Sequence, residues 1–122
     1  MARKIFQGNI HSAVQDEIGG AAEFRQTVDV VEQAIGQHPI VIVGMDQNPF
    51  PKKARKLLDA AGLAYNYLEY GSYFSEWKRR GVLKMWLGWQ TFPMIFVKGQ
   101  FIGGFTDLKK LVDSGELNKL LQ

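Results

Sequence analysis

The sequence predicts one α/β domain in which a βαβ unit is followed by a ββα unit. Three observations point there. Ile40-Val41-Ile42-Val43 is an unbroken β-branched run, the pattern of a central strand covered on both faces. Met94-Ile95-Phe96-Val97 and Gln100-Phe101-Ile102 flank a Lys98-Gly99 dipeptide and read as a β-hairpin. Between and around these runs, apolar residues recur at helical spacing.

Residues 1–22 differ from the rest. They are polar, contain Gly8, Gly19 and Gly20, and show only a weak helical pattern at Val14 and Ile18. They read as an N-terminal extension with a short helix near Ser12 to Ile18, and a partner protein or a second copy of the chain is the expected contact for them. The domain itself spans 23–122. Its first helix carries Phe24, Val28, Val31 and Ile35 on one stripe and leaves at Gly36, and Pro39 prevents continuation into the strand.

The second helix has a clear start. Asn48 can cap it, Pro49 suits the first helical position, and Pro51 falls where no intrahelical N–H is needed. Its apolar face is Ala54, Leu57, Leu58 and Ala61, and Gly62 closes it. Ala64 to Glu69 reads as a tyrosine-rich strand. A helix over Phe74 to Leu87 follows, with Trp77, Leu83 and Trp86 inward and Gly81 as a weak point. After the hairpin, Gly103-Gly104 ends the strand and Thr106 can cap a last helix. Leu108, Leu111, Val112, Leu117 and Leu120 form that helix's apolar side.

Composition narrows the chemistry. The 122 residues include no cysteine, which removes disulfides, thiolate zinc sites and cysteine-ligated iron–sulfur clusters held by this chain alone. His11 and His38 lie far apart with no acid at ligand spacing, so no metal is expected. No apolar run approaches ~18 residues, so no membrane association is expected. The basic start of the chain lacks an apolar stretch behind it, which makes the cytoplasm the expected location. Eight Phe, four Tyr and three Trp suffice for a core, and the tryptophans and tyrosines are expected to fill it. The net charge of +3 is too mild to mark a nucleic-acid binder. The positive charge is nevertheless clumped, at Lys52-Lys53-Ala54-Arg55-Lys56, Lys78-Arg79-Arg80 and Lys109-Lys110, and these read first as solvated helix faces. The cations of the first clump sit at a helix start, where the macrodipole prefers acids, which suggests attraction of an anionic ligand or an acidic partner surface.

Several stretches resemble the glutaredoxins, closest to the monothiol group whose active-site motif is C-G-F-S. Trp89-Gln90-Thr91-Phe92-Pro93 is similar to that family's W-P-T-F-P, and Phe96-Val97-Lys98-Gly99 to its Y-V-K-G. Gly103-Gly104-Phe105-Thr106-Asp107 resembles its G-G-x-(S/D)-D turn, and Ser114-Gly115-Glu116-Leu117 ends the match. Arg80 stands where the monothiol group keeps an arginine. The similarity runs from about Phe24 to Leu121, and three separated motifs at the right spacing make it specific. It implies the thioredoxin-like fold of glutaredoxin type, a central four-stranded mixed sheet flanked by helices.

The resemblance also implies a glutathione groove. A cis proline at Pro93 would turn the backbone of Thr91 and Phe92 outward for an extended peptide such as glutathione. Gly104, Phe105 and Thr106 would present N–H groups to a carboxylate. Asp107 would pair with the γ-glutamyl ammonium and Arg80 with a terminal carboxylate. Phe50 keeps its place in the monothiol pattern. The other half departs: the nucleophile position holds Asn48 in N-P-F-P, and the lysine expected before it is replaced by Met45.

Plainer readings stand beside these. Asn48 reads as a helix cap, and its amide could also donate to a glutathione sulfur. Asp107 could cap its own helix or pair with Lys110. Three functions remain open at this point. One is a non-catalytic module binding glutathione, a peptide or a partner. A second is a disulfide oxidoreductase or glutathione-ligated iron–sulfur carrier with a thiol supplied from elsewhere. The third is a small glutathione transferase using Asn48.

Overall fold

The computed structural model describes residues 21–71 and 75–122. The expected short helix near Ser12 to Ile18 and the role given to residues 1–22 as a contact segment fall outside the described residues, apart from 21 and 22. Among the described residues, nine elements follow one another: α1 (Ala21–Gln37), β1 (Ile40–Gly44), α2 (Pro49–Ala60), β2 (Asn66–Glu69), α3 (Trp77–Leu87), β3 (Met94–Val97), β4 (Gln100–Gly103), α4 (Phe105–Ser114) and α5 (Glu116–Leu121).

The strands form one mixed sheet in the order β2-β1-β3-β4. β1 runs parallel to β2, with Ile42 opposite Tyr67, and antiparallel to β3, with Ile42 opposite Ile95. β3 and β4 close the sheet as the antiparallel hairpin expected from Lys98-Gly99. All five residues of β1 are buried, as a strand covered on both faces requires.

Alternation along the strands divides the core in two. Val41, Val43, Met94, Phe96 and Phe101 face α1 and α3, where Phe24, Val28, Val31, Val82, Leu83 and Trp86 meet them. Ile40, Ile42, Ile95 and Val97 face the other way, against Ala54 and Leu58 of α2, Leu108 of α4 and Leu117 of α5.

Four local expectations change. The last helix is broken: Gly115 takes φ 81 and separates α4 from α5. A residue in that left-handed conformation ends the first helix, and Leu120 is left exposed. Gly104, not Thr106, stands at the N-cap of α4. α3 starts at Trp77 after Glu76 in a left-handed conformation; Phe74, its expected start, lies outside the described residues. Finally, Trp77 does not fill the core. It is 59% exposed, whereas Trp86, on the opposite side of the helix, is buried.

The join between β1 and α2 is tight. A Cβ at Gly44 would lie 2.7 Å from Pro51 Cβ and 2.9 Å from the Tyr67 ring, closer than carbon atoms approach. The chain can leave β1 beside α2 and β2 only without a side chain there. Gly44→Ala is expected to destabilise the protein by roughly 1–3 kcal/mol through overpacking, read as a lower urea midpoint at unchanged slope.

Candidate functional site

The N-terminus of α2, the loop entering β3 and the N-terminus of α4 converge on one cavity of about 360 Å³. Phe50, Trp89, Thr91, Phe92, Pro93, Gly104, Phe105, Thr106 and Asp107 line it. Residues from three separate sequence motifs thus meet at one place. The Phe92–Pro93 peptide is cis.

Asn48 lies at the edge of this cavity and takes part in two hydrogen bonds. Its Oδ1 accepts from the Phe50 N–H at 3.0 Å, the capping bond expected of Asn at a helix start. Its Nδ2 donates to the Phe92 carbonyl at 3.2 Å, across 44 residues of sequence. The carboxamide therefore ties α2 to the loop before β3. The Phe92 carbonyl is one of the main-chain groups expected to serve a ligand, and here it already accepts a hydrogen bond.

Asp107 curls back to cap its own helix, and Gly104 N–H donates to its Oδ2 at 2.9 Å. This explains Gly103, which has φ 110 and whose absent Cβ would collide with the Asp107 carboxylate. The rim is aromatic. The Phe50 and Phe105 ring centroids are 6.2 Å apart, and Phe50 is 47% exposed. Lys53 Nζ lies 4.9 Å from the Phe50 centroid and Lys84 Nζ 5.9 Å from that of Phe92, each cation facing a ring.

One expected position lies elsewhere. Arg80 is buried in α3, outside the cavity, where Nη1 donates to the Tyr70 carbonyl at 2.8 Å and to the Ser75 carbonyl. A buried guanidinium needs acceptors close by, and these two carbonyls supply them, which ties β2 to the start of α3. Met45 is buried in the core on the α1 and α3 side and does not line the cavity. Trp89 packs against the core, as expected, its ring meeting Phe101 edge-on at 5.3 Å, and it also lines the cavity. Its place at the head of the Trp89-to-Pro93 motif was the available signal.

Beside the site, Arg55 stacks on Tyr67, its guanidinium carbon 4.2 Å from the ring centroid. The Tyr67 hydroxyl donates to Glu69 Oε1 at 3.2 Å. Burial, and then the neighbouring Glu69 carboxylate, push the Tyr67 phenol up to about 12. Among the described residues, no cluster of acids and histidines could hold a metal ion, and no helix is long and apolar enough to cross a membrane.

A mixed four-stranded sheet, a cis proline entering β3 and a cavity between two helix N-termini together define a protein of the thioredoxin fold. The glutaredoxin family model matches residues 40–102. A glutaredoxin-like protein of Dictyostelium discoideum is 43% identical over 90 residues, covering 74% of this chain and 73% of its own length. A mitochondrial monothiol glutaredoxin-5 of Schizosaccharomyces pombe is 32% identical over 102 residues, covering 80% and 70%. In three dimensions, buckwheat glutaredoxin, solved as its glutathione complex, superposes with a TM-score of 0.71 at 22% identity, over 82% of this chain and 91% of that one. The chain belongs to the glutaredoxin family, and it is a member without cysteine.

The Tyr67 shift has a definite sign. The fold favours the neutral phenol, whereas an unfolded tyrosine ionises near pH ~10. Its stabilisation is complete below that pH and declines as the pH rises toward 12. Tyr65 and Tyr70 are also raised, chiefly by burial, so the comparison must isolate Tyr67. In urea melts over this range, wild type should lose stability relative to Tyr67→Phe. Parallel pH profiles would refute the assignment.

Proposed function

We propose that this chain is a non-catalytic binding module of redox homeostasis in the cytoplasm, whose thiol-free groove holds glutathione, an extended peptide or a segment of a partner protein. The observation that carries this reading is Asn48. At the helix start where the family resemblance expects a thiolate, a neutral carboxamide bonds to Phe50 N–H and to the Phe92 carbonyl. A carboxamide forms no mixed disulfide and is no substitute for a thiolate ligand to iron. The cavity nonetheless has most of the walls expected of a glutathione groove: of the anticipated positions, all but Asn48 and Arg80 line it.

The alternatives have weaker support. Disulfide exchange or cluster carriage needs a thiol from another molecule, since this sequence contains none. A transferase role needs the Asn48 amide aimed at a glutathione sulfur, and an N–H of that amide is directed to Phe92 instead. Glutathione is the first ligand to test, because the buckwheat protein of this fold was solved with it.

Trp89 lines the cavity and serves as the reporter. Titration with glutathione to millimolar concentration is expected to give a saturable change in tryptophan fluorescence that is lost in Trp89→Phe. No response would remove glutathione and leave peptides and partner proteins. In a disulfide-reduction assay coupled to glutathione reductase, the wild-type chain is expected to show no turnover above buffer, and Asn48→Cys to gain it. A thiol there sits at a helix N-terminus, where the thiolate is stabilised. Turnover by the wild-type chain would overturn the proposal.

A further inference from the structure

The charge around the groove is distributed unevenly. The cavity wall holds one carboxylate, Asp107, and no Lys, Arg or His; otherwise it is dominated by rings and backbone. The cations lie outside it. Lys52, Lys53 and Lys56 are exposed on α2, and none of them forms an ion pair among the described residues. At spacings of three and four residues they share one surface of the helix. No acid in the first turn of α2 offsets them. Lys53 brings this basic surface to the cavity mouth, where it overlies the exposed Phe50 ring.

A short ligand held within the cavity leaves the Lys52-Lys53-Lys56 face of α2 unused, because the cavity walls themselves carry no cation. A longer ligand fits it well. We propose that the groove and the Lys52-Lys53-Lys56 face of α2 together form a docking surface for an extended acidic protein segment. One bulky apolar side chain of that segment enters the cavity and packs against the touching Phe50 and Phe105 rings, and its carboxylates lie over the lysines. This inference rests on the reading of the groove as a binding site and selects one occupant for it. The geometry also sets the spacing. Lys56 is six residues beyond Phe50, about 9 Å along a helix that rises 1.5 Å per residue. An extended strand covers that distance in about three residues. The acidic residues therefore fall within roughly three positions of the apolar anchor, as that spacing requires.

The test uses the full chain, Trp89 fluorescence and amide chemical shifts. Four probes are compared with glutathione: the blocked peptide Glu-Asp-Leu-Phe-Asp-Glu, its neutral counterpart Gln-Asn-Leu-Phe-Asn-Gln, the anchorless Glu-Asp-Gly-Gly-Asp-Glu, and a single-stranded oligonucleotide. The first peptide is expected to bind at least about tenfold more tightly than the other three, and more weakly as salt rises. The variant Lys52→Glu/Lys53→Glu/Lys56→Glu should abolish that preference while leaving the neutral peptide unchanged. All three lysines are exposed and lie off the packed face of α2, which is Ala54 and Leu58, so this variant retains α2. Phe50→Ala should weaken both Leu-Phe peptides equally.

Equal binding of acidic and neutral peptides, or insensitivity to the triple reversal, overturns the acidic-segment inference and leaves the binding-module reading standing. Preferred binding of the oligonucleotide overturns it in favour of a nucleic-acid surface. If neither glutathione nor any peptide perturbs Trp89 or the groove amides, both readings fall.

Discussion

Strand β1 is buried along its whole length, and that burial determines where everything else at the site can stand. A strand covered on both faces has no lateral freedom, so its C-terminal end delivers the chain to one place. Gly44 lets Pro51 and Tyr67 close over that end, which draws α2 and β2 against it. α2 then begins with its N-terminus facing the loop that enters β3, and Asn48 spans the gap between them. The cavity follows from this contact. Its remaining wall is α4, which Leu108 anchors on the same face of the sheet as Leu58 of α2.

A carboxamide at that junction brings a hydrogen-bonding capacity that a thiol lacks. A thiol is a weak hydrogen-bonding group, whereas an amide both accepts and donates strongly. Asn48 uses both capacities, one within its own helix and one across the cleft. The junction is a structural tie between α2 and the loop before β3. Met45 and Arg80 are likewise engaged within the fold. Met45 packs into the core, and Arg80 is held by two carbonyls at the join of β2 and α3. The cavity retains shape and aromatic surface, while cationic charge gathers on its rim at Lys53 and Lys84.

Asp107 and Gly103 form a coupled pair of the same kind. The carboxylate caps the helix that bears it, and the preceding strand yields it space by ending in a glycine at positive φ. Capping holds the carboxylate in one orientation at the cavity wall, so the structural and ligand-facing readings of Asp107 are compatible. Tyr67 stands between Arg55 and Glu69 and keeps its proton in a setting that also packs the β1–α2 join.

The sequence by itself determined the type and order of the described elements up to the break of the last helix at Gly115, because each carries its own local signal: a β-branched run, a helical stripe, an Asn-Pro start, a Lys-Gly turn. It also determined that no sulfur nucleophile can come from this chain, since that is a matter of composition. Eight of the groove positions implied by the resemblance to the glutaredoxins line the cavity. Only the tertiary structure decided where ambiguous side chains went. Trp77 and Trp86 occupy one helix, yet one is exposed and the other buried, because the sheet covers only one side of α3. Arg80, which the resemblance directs at a ligand carboxylate, donates to two main-chain carbonyls outside the cavity. Asn48 announced its cap through the residues beside it, whereas its bond to Phe92 joins positions 44 apart. Local periodicity reports backbone conformation; the choice among competing distant partners depends on which of them the fold brings close.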